Sequence, residues 1–230
     1  MKEIAFSNVD LPYGWMSTMS PYSLTYEGKL WHTAEALFQA LRFDDPEIHE
    51  RLRGPKSPTD CQHLAHGILK NLVKTGQLHK HVVEPLSMTD VENLEQCIRL
   101  KFEQHPPLYW PLLHTVEMPI YYDLTSRGKR GANIFWGVIK REDGTWEGEN
   151  IMGKIWMKIR EEEIKKWKTP TPKERYAKFG LNEDPYKALK EAQSEGFEIY
   201  ELFFENMMWY ANENPDFSKP VACYRIEDSF

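Results

Sequence analysis

The sequence predicts an α+β domain, dominated by helices and carrying a small sheet, over residues 1–168, with a C-terminal extension over 169–230. Two patterns carry this expectation. Apolar residues recur at helical spacing in residues 34–41, 64–72, 91–102 and 151–159. Between these stretches lie short alternating or apolar runs, bounded by turn residues, which suit strands of a small sheet.

In chain order, Leu24 and Tyr26 alternate with polar residues and Glu27-Gly28 marks a turn, so residues 22–31 read as a hairpin. The chain then enters the stretch GKLWHTAEALFQALRF, residues 28–43. Thr33 is placed to cap a helix, its hydroxyl taking a free N–H of the first turn. Ala34, Leu37, Phe38 and Leu41 form one buried face, while Glu35, Gln39 and Arg42 fall at i, i+4 and i+7 on another. A short apolar helix thus carries an acid, an amide and a guanidinium in one stripe, with Trp31 one turn upstream.

Residues 51–55 read as a loop, and Ser57-Pro58 as an N-cap with proline at the first helical position. Leu64, Ala65, Ile68, Leu69 and Leu72 give that helix its buried face. Residues 89–92 have a capping-box pattern, with a helix to about residue 104. Residues 119–122 and 132–139 read as strands, Asp143-Gly144 as a turn, and the run after Gly148 as a helix with Glu161–Lys165 and Glu162–Lys166 pairs outside. TPTP at 169–172 signals a linker. Beyond it, 185–195 and 198–210 read as helices and 219–226 as an edge strand; this apolar tail is expected to pack on the main domain or on a second copy in a homodimer.

Composition narrows the function. A net charge of −6 argues against gripping nucleic acid over a whole surface, since such binding neutralises phosphates with Lys and Arg. Three separated cysteines, Cys61, Cys97 and Cys223, form no disulfide framework, and no apolar leader or membrane-spanning run is visible, so a cytoplasmic protein is expected. Eight Trp, eleven Tyr and eleven Phe fill a core with aromatics to spare for a ligand. Gly148–Lys154 spells G-x-x-x-x-G-K, but Ile155 stands where a P-loop needs a hydroxyl and Glu149 repels phosphate, which excludes that reading. Cys61, His63 and His66 do not converge as zinc ligands from one helix, so neither metal nor cofactor is expected.

Several spaced motifs resemble the NADAR family, the YbiA-like N-glycosidases. Gly28, Lys29, Trp31, Thr33, Glu35, Phe38, Gln39, Ala40 and Phe43 match its signature, with His32, Ala36 and Arg42 departing from it. Ser17, the Ser57-Pro58 pair, the run KFEQH at 101–105, Leu112-Leu113 with Thr115, Trp136-Gly137, and Gly148, Asn150, Gly153 and Met157 match further segments. Thr18 replaces a family Asn, and Tyr121 and Asn133 stand where acids are common.

The resemblance covers about three quarters of the chain and implies hydrolysis of an N-glycosidic bond. The substrates it implies are ribosylamino-pyrimidine phosphates and ADP-ribosylated guanine, the latter extending to a modified base in nucleic acid. Such cleavage passes through a positively charged sugar. Glu35 is the carboxylate to face it, Trp15, Trp31 and Trp136 are platforms for the base, and Gln39 and Asn150 read sugar or base edges. Arg42 clamps phosphate through two parallel hydrogen bonds. Ser17, Gly137 and Gly153 join the substrate-binding set through the matched motifs, and Asn133 joins it at a position where the family commonly has an acid.

The family lysine, thought to attack C1 of the sugar, is Arg42 here, and a guanidinium is a poor nucleophile. Either Lys101 takes over, or water attacks with help from Glu35, or only binding of an ADP-ribose-like ligand remains. A structural interaction protein is a third class, drawing on the aromatic tail.

Overall fold

The computed structural model describes residues 3–115, 118–128, 133–168, 198–205, 208–212 and 224–227. They divide into two compact units, Met1–Leu108 with Met118–Met157, and Tyr109–Glu117 with Lys158–Phe230. The architecture is α+β and helix-dominated, with small separate sheets.

In the first unit, β1 (Ile4–Phe6) pairs with β4 (Ile120–Tyr122) in parallel, Ile4 opposite Ile120. The expected hairpin is β2 (Leu24–Tyr26) and β3 (Lys29–Trp31), antiparallel, with Glu27 and Gly28 both at positive φ, the requirement of a tight two-residue turn. Helix α1 (Ala34–Ala40) starts where expected, the Thr33 hydroxyl accepting the Ala36 N–H at 3.2 Å. All seven of its residues are buried, and it packs on α2 (Pro46–Arg53), α3 (Pro58–Lys74) and α4 (Met88–Gln104).

Ser57 caps α3 as read from the sequence. Three boundaries differ. Residues 51–53 close α2 rather than forming a loop; Asp45-Pro46 opens that helix with the same cap-then-proline device as Ser57-Pro58. Helix α4 is capped by Ser87, two residues before the expected box. Ala132 lies outside the described residues, 134–136 are turn, Val138 makes an isolated parallel bridge to Asp123, and only β5 (Ile139–Lys140), paired with β6 (Trp146–Glu147), is strand.

The turn is needed because the 133–153 segment passes close to β4. A Cβ on Gly137 would lie 2.4 Å from the Tyr122 carbonyl oxygen, and one on Gly153 would lie 2.2 Å from that of Ile120. Asn150, at positive φ, bonds the edge of β4: Oδ1 accepts the Tyr122 N–H at 3.1 Å and Nδ2 donates to the Ile120 carbonyl at 2.8 Å. The first turns of α6 (Ile151–Lys168) follow directly.

In the second unit, α5 (Tyr109–Leu113) precedes a turn in which Arg160 donates to the Thr115 hydroxyl at 2.9 Å. The tail departs from the helical expectation. Residues expected to be helical over 198–210 form β7 (Glu198–Glu205) and β8 (Met208–Asn212), and β9 (Tyr224–Glu227) completes an antiparallel sheet in the order β8-β7-β9. Ile199, Tyr200, Phe203, Phe204, Trp209 and Tyr210 are β-branched or aromatic, types that favour strands. The linker at 169–172, the helix at 185–195 and Cys223 lie outside the described residues. Among the described residues no helix is long and apolar enough to cross a membrane.

Two glycine substitutions test the close approach. Gly67 lies exposed in mid-α3 with open space around it, so Gly67→Ala is expected to raise stability by about 0.5–1 kcal/mol in urea unfolding. Gly153→Ala is expected to lower it by about 1–3 kcal/mol.

Candidate active site

The polar stripe, with Glu35 and Gln39 on α1 and Arg42 in the turn just beyond its end, is a connected chain of hydrogen bonds inside the first unit. Glu35 is only 5% exposed. Its Oε1 accepts from Gln39 Nε2 at 2.8 Å and from Gln62 Nε2, on α3, at 2.7 Å. Its Oε2 accepts from the Thr18 hydroxyl at 2.6 Å, and its backbone N–H donates to the Thr18 carbonyl at 3.0 Å. Gln39 Oε1 in turn accepts from Arg42 Nη1 at 3.2 Å.

Arg42 then reaches α4. Its Nε and Nη2 donate to the two oxygens of Asp90, each at 2.9 Å, a parallel pair of charge-assisted bonds. Asp90 is fully buried and Arg42 retains 15% side-chain exposure. The Leu86 N–H adds a third bond to Asp90 at 2.9 Å. The fork expected to clamp phosphate is therefore engaged within the protein, because Asp90 presents two acceptors at the matching spacing. The guanidinium also lies over the Phe38 ring, 4.4 Å from its centroid, and Trp136 meets Phe38 edge-on at 5.7 Å.

The expected tryptophan platforms separate. Trp136 is half-buried beside the stripe. Trp15 and Trp31 are buried in the core, edge-on to Trp156 at 5.3 Å and to His49 at 6.5 Å. Their indole N–H groups are enclosed with no protein partner among the described residues.

Lys101 is fully buried and does not open onto a cleft. Its Nζ contacts the carbonyls of Trp15 and, at 2.8 Å, Ser17, and the Ser20 hydroxyl at 2.6 Å. Burial draws its ionisation well below the ordinary lysine range, while three converging acceptors match the three protons of the charged form. Gln104 brackets Thr25, accepting its N–H and donating to its carbonyl, and His105 Nε2 meets the Ser23 carbonyl at 2.5 Å. The KFEQH run is thus a clamp on the segment from Trp15 to Thr25, and Trp156 Nε1 pins the same segment at the Met16 carbonyl, 2.9 Å away.

Other expected contacts also turn inward. The Ser17 hydroxyl accepts the Met19 N–H, both amide atoms of Asn150 serve β4, and Gly137 and Gly153 are sites of close backbone approach. Asn133 is exposed and its side chain accepts the Phe135 N–H at 3.2 Å. Cys61 Sγ donates to the Leu52 carbonyl at 3.3 Å while His63 and His66 lie outside, and no group among the described residues could hold a metal ion.

Thr18, Gln62 and Asp90 join the stripe without having been assigned to it from sequence. Each comes from a segment remote from α1; Thr18 is marked in the sequence only as standing where the family has Asn, and no local pattern marks Gln62 or Asp90 as partners of the stripe.

A family model described as the NADAR domain matches residues 5–163. The chain belongs to the NADAR family. It is 27% identical over 159 residues to the N-glycosidase YbiA of Shigella boydii serotype 4 (strain Sb227), a match spanning 69% of this chain and 87% of that protein. The YbiA of Escherichia coli (strain K12) matches to the same extent. A riboflavin biosynthesis protein of Vibrio vulnificus (strain YJ016) is 28% identical over 159 residues, 38% of its own length. The NMR structure of E. coli YbiA superposes with a TM-score of 0.56 at 22% identity, covering 74% of this NADAR chain and 90% of that one, which establishes the shared fold.

Two expectations follow from the site. Arg42→Ala leaves Asp90 buried without its counter-charge and is expected to cost about 3 kcal/mol in urea unfolding; Arg42→Lys, which cannot make the parallel pair, is expected to fall between it and wild type. Burial, reinforced by the nearby Glu35 charge, pushes the Cys61 thiol up to about 12. The thiol of an unfolded chain ionises near about 8.5. At pH 8 the folded thiolate is then roughly one part in ten thousand, so Cys61 should resist alkylation until the domain unfolds, as peptide mapping would show. The raised folded value means that this contribution to stability is intact below about pH 8.5 and is lost as pH rises towards 12.

Proposed function

We propose that this NADAR domain hydrolyses an N-glycosidic bond in a nucleotide-like or ADP-ribosyl compound, with ADP-ribosylated guanine and ribosylamino-pyrimidine phosphate as the substrate classes. The observation that carries the reading is Glu35, a carboxylate held by three side-chain donors on the signature helix. The names borne by the relatives support the same reaction class.

Arg42 has no lone pair to offer the sugar, and Lys101 is occupied in holding the loop at Trp15 to Ser20. The nucleophile is therefore water. Its oxygen forms the new bond to C1 of the ribose, and the C1–N bond breaks with its electron pair passing to the base nitrogen. Glu35 takes the proton released by the water and returns it to that nitrogen. Its charge also favours the cationic sugar of the transition state. Trp136, beside Phe38, supplies the flat surface for the base.

A second reading, a non-catalytic binder of ADP-ribose-like ligands, draws on Arg42 standing at the family lysine. Among the described residues three of its five N–H groups are engaged, and in this reading the other two meet an anion at its exposed edge.

Incubation with both substrates, followed by chromatography of the free base, separates the readings. The expected result is release from at least one. Glu35→Gln should lower kcat by about 100-fold or more, since its amide keeps the packing but cannot accept the proton. No release from either substrate overturns the hydrolase reading, and calorimetric binding of ADP-ribose without turnover favours the binder.

A further inference from the structure

The hydrogen-bond directions within the stripe distinguish the two oxygens of Glu35. Arg42 is only a donor, so Gln39 must turn its carbonyl oxygen to Arg42 and its NH₂ to Glu35. Asp90 holds Arg42 in the orientation that enforces this. Gln62 also presents an amide N–H to the same oxygen. Glu35 Oε1 is therefore met by two amide N–H groups, and that of Gln39 is fixed as a donor by Arg42.

Oε2 has a different partner. The Thr18 hydroxyl donates to it at 2.6 Å, and a hydroxyl can rotate to accept instead. The register of this contact is set twice over. The Thr18 carbonyl takes the Glu35 backbone N–H, and the neighbouring carbonyls of Met16 and Ser17 are held by Trp156 and Lys101.

We propose that Thr18 is a positioning residue for the hydrolysis: its reversible hydroxyl makes Oε2 the oxygen of Glu35 that receives the proton from water. The proposal rests on the hydrolase reading. In the resting site Thr18 donates to the ionised Oε2. When Oε2 takes the water proton, the Thr18 hydroxyl turns and accepts the new O–H. When the proton passes on to the base nitrogen, the hydroxyl turns back. Water's oxygen ends on C1 and its proton on the released base, leaving Glu35 and Thr18 as they began. No electron acceptor or added group is required.

Steady-state kinetics of the full chain, with whichever of ADP-ribosylated guanosine and ribosylamino-pyrimidine phosphate it cleaves, test this with Thr18→Val and Thr18→Ser. Valine keeps the branched shape and removes the hydroxyl; serine keeps the hydroxyl. Thr18→Val is expected to lower kcat about ten-fold or more with KM within about two-fold, and Thr18→Ser to stay within about three-fold of wild type in both. Thr18→Ala, which adds no bulk, makes the same comparison if valine lowers the melting temperature. An active wild type with hydroxyl-free variants of unchanged kcat overturns the role of Thr18 and leaves the hydrolase reading standing. So does a serine variant as impaired as the valine one. A wild type inert towards both substrates overturns the hydrolase reading and, with it, this proposal.

Discussion

Helix α1 is buried along its whole length, so the polar face it carries has to find its partners inside the protein. A buried polar group without a hydrogen bond costs more than most packing contacts return, and a buried charge without a partner costs more again. The rest of the first unit answers that requirement. Thr18 comes from the N-terminal loop, Gln62 from α3 and Asp90 from α4, three segments that meet at one helix. The charges at the two ends of the resulting chain differ in kind. Asp90 is neutralised by the Arg42 fork, whereas Glu35 is surrounded by neutral donors, and its charge is felt by the buried thiols of Cys61 and Cys97, both pushed up chiefly by burial.

The same logic accounts for the motifs shared with the family. Lys101, Gln104 and His105 project from one end of α4 onto backbone carbonyls of the segment that carries Thr18. Asn150 binds the N–H and C=O of β4, much as Gln104 binds those of Thr25. Each side-chain amide substitutes for a neighbouring strand, which lets very short strands keep their edge groups paired. These residues shape the surroundings of the stripe through the backbone. In this chain, then, several of the matched motif residues hold the backbone in place.

The guanidinium of Arg42 suits the residue opposite it. A lysine would offer a single point charge; the planar fork of Arg42 engages both oxygens of Asp90 and still donates to Gln39. Held in this way, the guanidinium fixes the direction of the hydrogen-bond chain that runs through Gln39 to Glu35. Its exposed fraction and its stacking on Phe38, a ring that Trp136 also meets, leave it at the edge of the stripe.

Local chemistry made much of the fold legible. Thr33 and Ser57 were readable as caps because their hydroxyls act on N–H groups two or three residues away. The Glu27-Gly28 turn was readable because few residues tolerate positive φ. The spacing of Glu35 and Gln39 defined a common face, since helical geometry depends only on the residues of the helix, whereas Arg42 joins them from the turn after it. The tail is strand where its spacing suggests helix because its aromatic run suits either period, and strand pairing depends on partners supplied from elsewhere. By itself, the sequence determined the helix, its polar face and the family. Only the tertiary structure decided that the face is buried, that Asp90 occupies the Arg42 fork, that Lys101 serves a loop, and that Thr18 and Gln62 hold Glu35. Those contacts join residues as far apart as 86 positions, and nothing in local periodicity records which distant side chain completes a hydrogen bond.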